Sequence, residues 1–313
     1  MISMNPVVGI DCGKRYLDAA LFPGTDRTRI ENTPLGLATL VSWLAERRVG
    51  VAGLEASGGC ERLARDALIE AGLTVRIFEP GRVRHFAGAK GRRAKTEAID
   101  AALIAEFTAA FPESPPAVRD PAREQLAGLI RARRLVVTKK ADLAKGLASA
   151  PEEAKPILEA VVAQLATAEE ALETAIVKQV DADTRLAQLT TALVTAPGVG
   201  PVTAAALAAL LPELGHTTGA RIAALVGVAP FADDSGEHQG KRQIAGGRGD
   251  ARRALYRAAL SATRTKGVLG EFYRRLVERG KPPKVALTAC MRKLVVRLNA
   301  MVAAKATWQE HPA

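Results

Sequence analysis

An α/β domain followed by a helical half is the fold class that this sequence predicts. Three observations predict it. Short apolar segments rich in β-branched residues crowd the chain before residue 80, a long Ala-, Leu-, Glu-, Lys- and Arg-rich stretch follows, and beyond Leu193 short helical patterns are separated by Gly and Pro. With 313 residues and about 150 residues per domain, roughly two cores of ordinary size are expected.

Val7–Asp11 and Tyr16–Phe22 alternate as strands joined by Gly13-Lys14, and Arg27–Thr33 is read as a third strand of an antiparallel meander. Leu35–Arg48 places Leu37, Leu40, Val41 and Leu44 at helical spacing. Val49–Glu55 is a short buried strand, Ser57-Gly58-Gly59 a turn, Glu61–Ala71 a helix and Leu73–Glu79 a further strand. A helix through Arg82–Phe86, a basic loop Lys90–Lys95 and a helix Thr96–Phe107 complete an order β-β-β-α-β-α-β-α, which is that of the RNase H-like fold. Pro112, Pro115 and Pro116 then end the domain, placed at 1–115.

Between 116 and 190 a break at Ser149-Ala150-Pro151 divides the chain into two long helices, an antiparallel pair or coiled-coil linker serving oligomerisation. Leu158, Val161, Val162, Leu165, Leu172, Ile176 and Val180 line one face of the second, which is read as running to Gln188. The segment 191–313 is mostly α. Within it, Pro197-Gly198-Val199-Gly200-Pro201 opens an Ala-rich helix, resembling a helix-hairpin-helix in which Gly198 and Gly200 expose backbone N–H groups to phosphate. A turn between two core helices is the alternative. Residues 233–249 are expected to form loop.

Lys and Arg number 44 against 33 Asp and Glu, a net +11, and the excess is segregated. Residues 1–75 are nearly neutral, 76–95 hold seven basic and one acidic residue, and 191–313 hold 18 and 8. Such clusters attract polyanions, nucleic acid above all. The candidate contacts are Arg82, Arg84, Lys90, Arg92, Arg93 and Lys95 in the first domain and Lys241, Arg242, Arg248, Arg252 and Arg253 in the last. Cys12, Cys60 and Cys290 have no CxxC spacing, which excludes a disulfide framework and a cysteine zinc site and suits a reducing cytoplasm. The opening MISMNPVVGIDCGK lacks secretory-signal features, and the apolar run Val202–Leu211 is far short of a bilayer span of ~20 residues.

Asp11 and Glu55 each end a strand, and Glu97 and Asp100, three apart, share one helix face. In an RNase H-like domain the four carboxylates converge. Their mutual repulsion is relieved by a divalent cation bound through hard oxygen ligands, for which Mg²⁺ is the expected choice. Actin-like sugar kinases also begin Gly-Ile-Asp-x-Gly, but they need a second Gly-rich phosphate loop that the rest of this chain does not offer.

Taken together, Val8-Gly9-Ile10-Asp11, Glu55-Ala56-Ser57-Gly58, Lys95-Thr96-Glu97-Ala98-Ile99-Asp100-Ala101, Pro197-Gly198-Val199-Gly200, Leu225-Val226-Gly227-Val228-Ala229-Pro230, Ser235-Gly236 and Gly246-Gly247-Arg248-Gly249-Asp250-Ala251-Arg252-Arg253 follow one family in order. The sequence resembles the DEDD-type insertion-sequence transposases of family one-hundred-ten, bridge-RNA-guided serine recombinases with a RuvC-like domain and a C-terminal transposase domain. The resemblance implies Asp11, Glu55 and Asp100 as metal ligands, and Ser235 as the nucleophile that links to DNA phosphate. Glu97 stands where the family has aspartate, one methylene longer. It further implies DNA and a structured guide RNA as partners and a homo-oligomer in which protomers complete each other's site. Without it, Asp234-Ser235-Gly236 reads as a turn. A RuvC-like nuclease that uses water, or a DNA-binding protein without catalysis, are the alternatives.

Overall fold

The computed structural model describes residues 5–91, 97–231, 234–235, 238–239 and 243–309, excluding the side chains of 97–99, 231, 234–235 and 238–239. Two compact units result, Met1–Arg119 and Asp120–Ala313.

In the first unit, alternation decides the sheet. β1 (Val7–Cys12), β2 (Tyr16–Phe22) and β3 (Arg27–Glu31) form the antiparallel meander. Thr33 then caps α1 (Pro34–Glu46), its hydroxyl accepting from the Gly36 N–H at 3.2 Å. β4 (Val51–Glu55), α2 (Glu61–Glu70) and β5 (Thr74–Phe78) follow, and β4 and β5 extend the sheet in parallel. The strand order is β3-β2-β1-β4-β5. α3 (Pro80–Ala89) starts earlier and ends later than its sequence pattern because Pro80 suits the first turn. α4 (Glu97–Ala110) closes the unit.

The period of two gives each strand two addresses. Val8, Ile10 and Cys12 on β1, with Ala52 and Leu54 on β4, join the core packed by Leu37, Leu40 and Leu44 of α1 and by Leu68 of α2. Their neighbours Gly9, Asp11, Gly53 and Glu55 therefore face the opposite side, where α4 lies. A smaller core of Phe78, Val83, Leu103, Ile104 and Phe107 holds α4 there, the Phe78 and Phe107 rings meeting edge-on at 4.8 Å.

The second unit begins with α5 (Pro121–Gly146), capped by Asp120, whose carboxylate accepts from the Arg123 N–H at 3.1 Å. A short 3₁₀ turn leads to α6 (Lys155–Asp181). The second long helix stops before Gln188, because Asp183 accepts N–H bonds from Arg185 and Leu186 at 2.9 and 3.2 Å and starts a new helix, α7 (Thr184–Val194). α5 and α6 are tied by Arg133, which bonds Glu173 at 2.8 Å and Glu169 at 2.5 Å, while Lys140 also holds Glu169. Of the predicted apolar stripe only Ile176 and Val180 are fully buried, and they join the core of the C-terminal helices.

That core is built from α8 (Pro201–Leu210), α9 (Gly219–Val226), α10 (Gly249–Ala262), α11 (Val268–Glu278) and α12 (Pro283–Ala303). Buried Asn299 is satisfied, accepting from the Gly215 N–H and donating to the Thr217 carbonyl, which pins the loop before α9 to α12. Residues 233–249 are not wholly loop. β6 (Pro230–Phe231) pairs with β9 (Gln243–Ile244), and β7 (Asp234–Ser235) with β8 (His238–Gln239), all antiparallel two-residue strands. Among the described residues no helix is long and apolar enough to cross a membrane.

Candidate active site

Asp11 and Glu55 come to lie side by side through strand register. β1 and β4 are parallel with Val7 opposite Val51 and Ile10 opposite Leu54, so the next residue of each strand is Asp11 and Glu55. Both are half-buried, as is Asp100. The helix reaches them because Gly9 and Gly53 are opposite each other and have no side chain. A Cβ on Gly9 would overlap the Ala105 nitrogen and the Ala101 carbonyl oxygen, and one on Gly53 would overlap the Thr108 hydroxyl. Asp100 adjoins Ala101, and Asp11 lies two residues along the same strand face from Gly9. Glu97 opens α4, its side chain lying outside the described residues.

The local field is acidic. Burial pushes the Cys12 thiol far up, and the charges of Asp11, Glu61 and Cys60 add to that effect. In register opposite Asp11 stands Asp18, which Arg29 holds at 3.0 and 3.2 Å. The donor set fits Mg²⁺ in kind, since Asp11 and Glu55 on the sheet and Asp100 on α4 are all carboxylates, the hard oxygen donors that this ion takes. Among the described residues no three His, Cys, Asp or Glu side chains are drawn together as a metal cluster, and Glu97 is outside that set.

Two residues that sequence reading missed brace this edge. Asn32 donates to the carbonyls of Gly13 at 2.9 Å and Cys60 at 3.0 Å, tying the segment after Asp11 to the segment after Glu55. Its Oδ1 is buried without a partner among the described residues. Asn32→Ala is expected to lower stability by about 1–3 kcal/mol, since two carbonyls lose their donor. Urea unfolding measures it, and a midpoint shift within error would show that the brace is idle.

Glu61 folds the Ser57-Gly58-Gly59 turn around its carboxylate, which accepts from the Ser57 N–H at 3.1 Å, the Ser57 hydroxyl at 3.0 Å and the Gly59 N–H at 2.8 Å. Burial opposes its ionisation, but the backbone N–H groups and the hydroxyl outweigh burial and hold its carboxyl below the usual range. A folded-state pKa below the unfolded one gives stability that is present above the unfolded value and lost as pH falls through the lowered one. Glu61→Gln is therefore expected to cost stability at neutral pH and to shrink the loss seen on acidification below about pH 4.5. Thermal melts across that range read it, and parallel curves for the two proteins would contradict it.

The nucleic-acid candidates divide sharply. Arg248 forms a bidentate pair with Glu213 at 2.6 and 2.6 Å and donates to the Leu210 carbonyl at 2.9 Å, so its first role is structural. Arg252 donates to the carbonyls of Val226, Gly227 and Gly246, the last at 2.6 Å. Gly198 has φ +77° and would overlap the Ala258 carbonyl if it bore a Cβ, so packing against α10 explains it. Gly200, by contrast, is exposed and caps α8 in open space. Arg82 lies over the rings of Phe107 and Phe111 at 5.4 and 5.5 Å, and Lys90 bonds Glu106. Arg84 and Arg253 are exposed, Arg253 pairing with Asp250 at 2.8 Å. Arg92, Arg93, Lys95, Lys241 and Arg242 lie outside the described residues. Ser235 is placed by its backbone on β7 opposite His238, its side chain likewise outside.

A mixed five-stranded sheet that carries acids at the ends of its adjoining central strands, beneath one helix, defines an RNase H-like domain. Residues 8–156 match the DEDD-type IS110 model described as "Transposase", and residues 190–274 match "Transposase IS116/IS110/IS902 family". The chain thus carries the domains of IS110-family transposases, and its activity is that of a DNA transposase/recombinase. Two solved structures are similar to part of it. The T. thermophilus RuvC in complex with Holliday junction substrate is 18% identical, covering 36% of this chain and 100% of its own, with a TM-score of 0.29. A second Thermus thermophilus RuvC structure is 17% identical over 36% of this chain and 99% of its own, with a TM-score of 0.29. No curated protein matches the sequence.

Proposed function

We propose that this chain cuts and rejoins DNA through a serine nucleophile, at sites chosen by a structured guide RNA. The observation that carries the catalytic half is the placement of Asp11 and Glu55 on adjoining parallel strand ends, on the sheet face that α4 covers with Glu97 and Asp100 on its first turn. These four carboxylates would hold Mg²⁺, which when bound supplies charge neutralisation at a phosphate and polarises its oxygens. Glu97, one methylene longer than aspartate, is the first residue of α4.

Ser235 Oγ forms a bond to phosphorus as a strand P–O bond breaks, and the departing strand leaves as a hydroxyl after taking up the serine proton. Rejoining runs the same exchange in reverse and needs no external energy source, because one phosphodiester replaces another. The guide RNA and the serine role rest on the family resemblance of the motifs around Ser235. Leu135 and Ile157, 60% and 68% exposed on α5 and α6, support a homo-oligomer that covers them.

The test incubates the full chain with its element's RNA, donor and target DNA and Mg²⁺, and digests any covalent adduct for mass spectrometry. Attachment at Ser235, lost in Ser235→Ala, is the expected result. Strand cleavage without any adduct, or an adduct that persists in Ser235→Ala, overturns the serine mechanism.

A further inference from the structure

Within the second unit a groove of about 430 Å³ opens between α5, α8 and α10. Its makeup follows from two helical stripes. On α10, residues 250, 253, 254 and 257 recur at three- and four-residue spacing and face it, and on α5 residues 130, 134 and 137 do the same. The first turns of α8 supply Val202 and Thr203, just inside the Gly200 cap.

Two chemistries meet there. The floor is apolar, made by Ile130, Val137 and Val202, while five arginines, Arg131, Arg133, Arg134, Arg253 and Arg257, stand around it, Arg133 being engaged by Glu169 and Glu173. Among the described residues one carboxylate lines the groove, Asp250, and it is shared between Arg134 at 3.3 Å and Arg253 at 2.8 Å. Five arginines against that one aspartate make the lining itself net positive. Tyr256 lines the groove while remaining 45% exposed, which leaves its ring face open to a ligand. The volume falls within the roughly 300–1,000 Å³ of small-ligand pockets.

We infer that this groove takes one unpaired nucleotide of a nucleic-acid strand, its base against Tyr256 and the apolar floor and its flanking phosphates on the arginines. A duplex presents phosphates but no free base face, so an aromatic wall beside an apolar floor selects a single strand. The planar guanidinium fork suits phosphate oxygens, and the exposed N-terminal turn of α8 adds N–H groups of the same preference. The inference deepens the proposed function, on which it rests for the class of polymer, by naming the form of strand this surface holds.

The experiment uses the full chain and a short single-stranded oligonucleotide carrying 2-aminopurine, in DNA and RNA versions, read by anisotropy and by base fluorescence. Binding with quenching is expected. Tyr256→Ala should weaken it about tenfold or more and abolish the quenching, and Tyr256→Phe, which keeps the ring, should restore both. Arg257→Gln should lower the slope of log affinity against log salt by about one. Since Tyr256 and Arg257 are both exposed, melting curves should coincide with that of the parent.

Unchanged binding in Tyr256→Ala overturns the inference. So does a blunt duplex of equal length that competes as well as the single strand, or a free nucleoside monophosphate that displaces it at comparable concentration. The serine mechanism is tested apart: an adduct surviving Ser235→Ala removes that mechanism and leaves these binding results in force.

Discussion

Asp11→Asn is expected to abolish strand cleavage, by about three orders of magnitude or more, while leaving the melting temperature and DNA affinity close to those of the parent. The exchange is nearly isosteric, so β1 keeps its register with β2 and β4. What goes is one negative charge at the end of the strand. A divalent cation that Asp11 would help to hold would lose a formal charge from its ligand set, and with it the neutralisation it would supply at a phosphate. The acidic corner is dense, with Asp18 in register opposite, yet Asp18 is engaged by Arg29 and is poorly placed to substitute. Cleavage assays with graded Mg²⁺ and Mn²⁺ measure the effect. Full activity of Asp11→Asn would mean that these strand ends are not the catalytic centre.

The same corner shows what the sequence makes legible and what it does not. Strand alternation and helical spacing are local, so Val8 and Ile10, or Leu37, Leu40 and Leu44, announce their elements and their inward faces directly. The acids are legible for the same reason: Asp11 and Glu55 end apolar runs. Asn32 is not, because its meaning lies in two carbonyls, Gly13 and Cys60, that are distant in sequence and meet only once the sheet exists. Asp183 was readable in principle. An Asp before Thr-Arg-Leu is an ordinary cap, but the unbroken Ala/Leu pattern on both sides masks the stop. The two-residue strands that place Ser235 carry too little pattern to be read, since turn residues surround them. The arginines mislead in another way. A count of positive charge treats Arg248 and Arg253 alike, whereas Glu213 engages one with both oxygens and the groove exposes the other.

Gly9→Ala is the substitution expected to cost most in stability, about 3 kcal/mol or more, because the added methyl has only backbone to displace. It would overlap the Ala105 nitrogen and the Ala101 carbonyl oxygen and lie 2.7 Å from the Ile104 carbonyl carbon, all on α4. A helix cannot yield there as a side chain can. It must lift from the sheet as a body, loosening Ile104 and Phe107 from their core and carrying Asp100 away from Asp11. Gly53→Ala meets mainly the Thr108 side chain, with Phe78 Cε2 at 2.9 Å, so rotation gives partial relief and the expected cost is smaller. Gly50→Ala meets nothing within 4 Å and serves as the neutral control. The order of melting temperatures should therefore be Gly50→Ala, then Gly53→Ala, then Gly9→Ala, the last about 10 °C or more below the parent for a unit of this size. Thr108→Ala should recover part of the Gly53→Ala loss and none of the Gly9→Ala loss, as a double-mutant cycle would read. Cleavage should fall with Gly9→Ala even well below its melting point, since in the proposed carboxylate set the strand acids and the α4 acids would depend on that approach. A Gly9→Ala protein that melts and cuts like its parent would show that α4 does not sit on β1 at this residue.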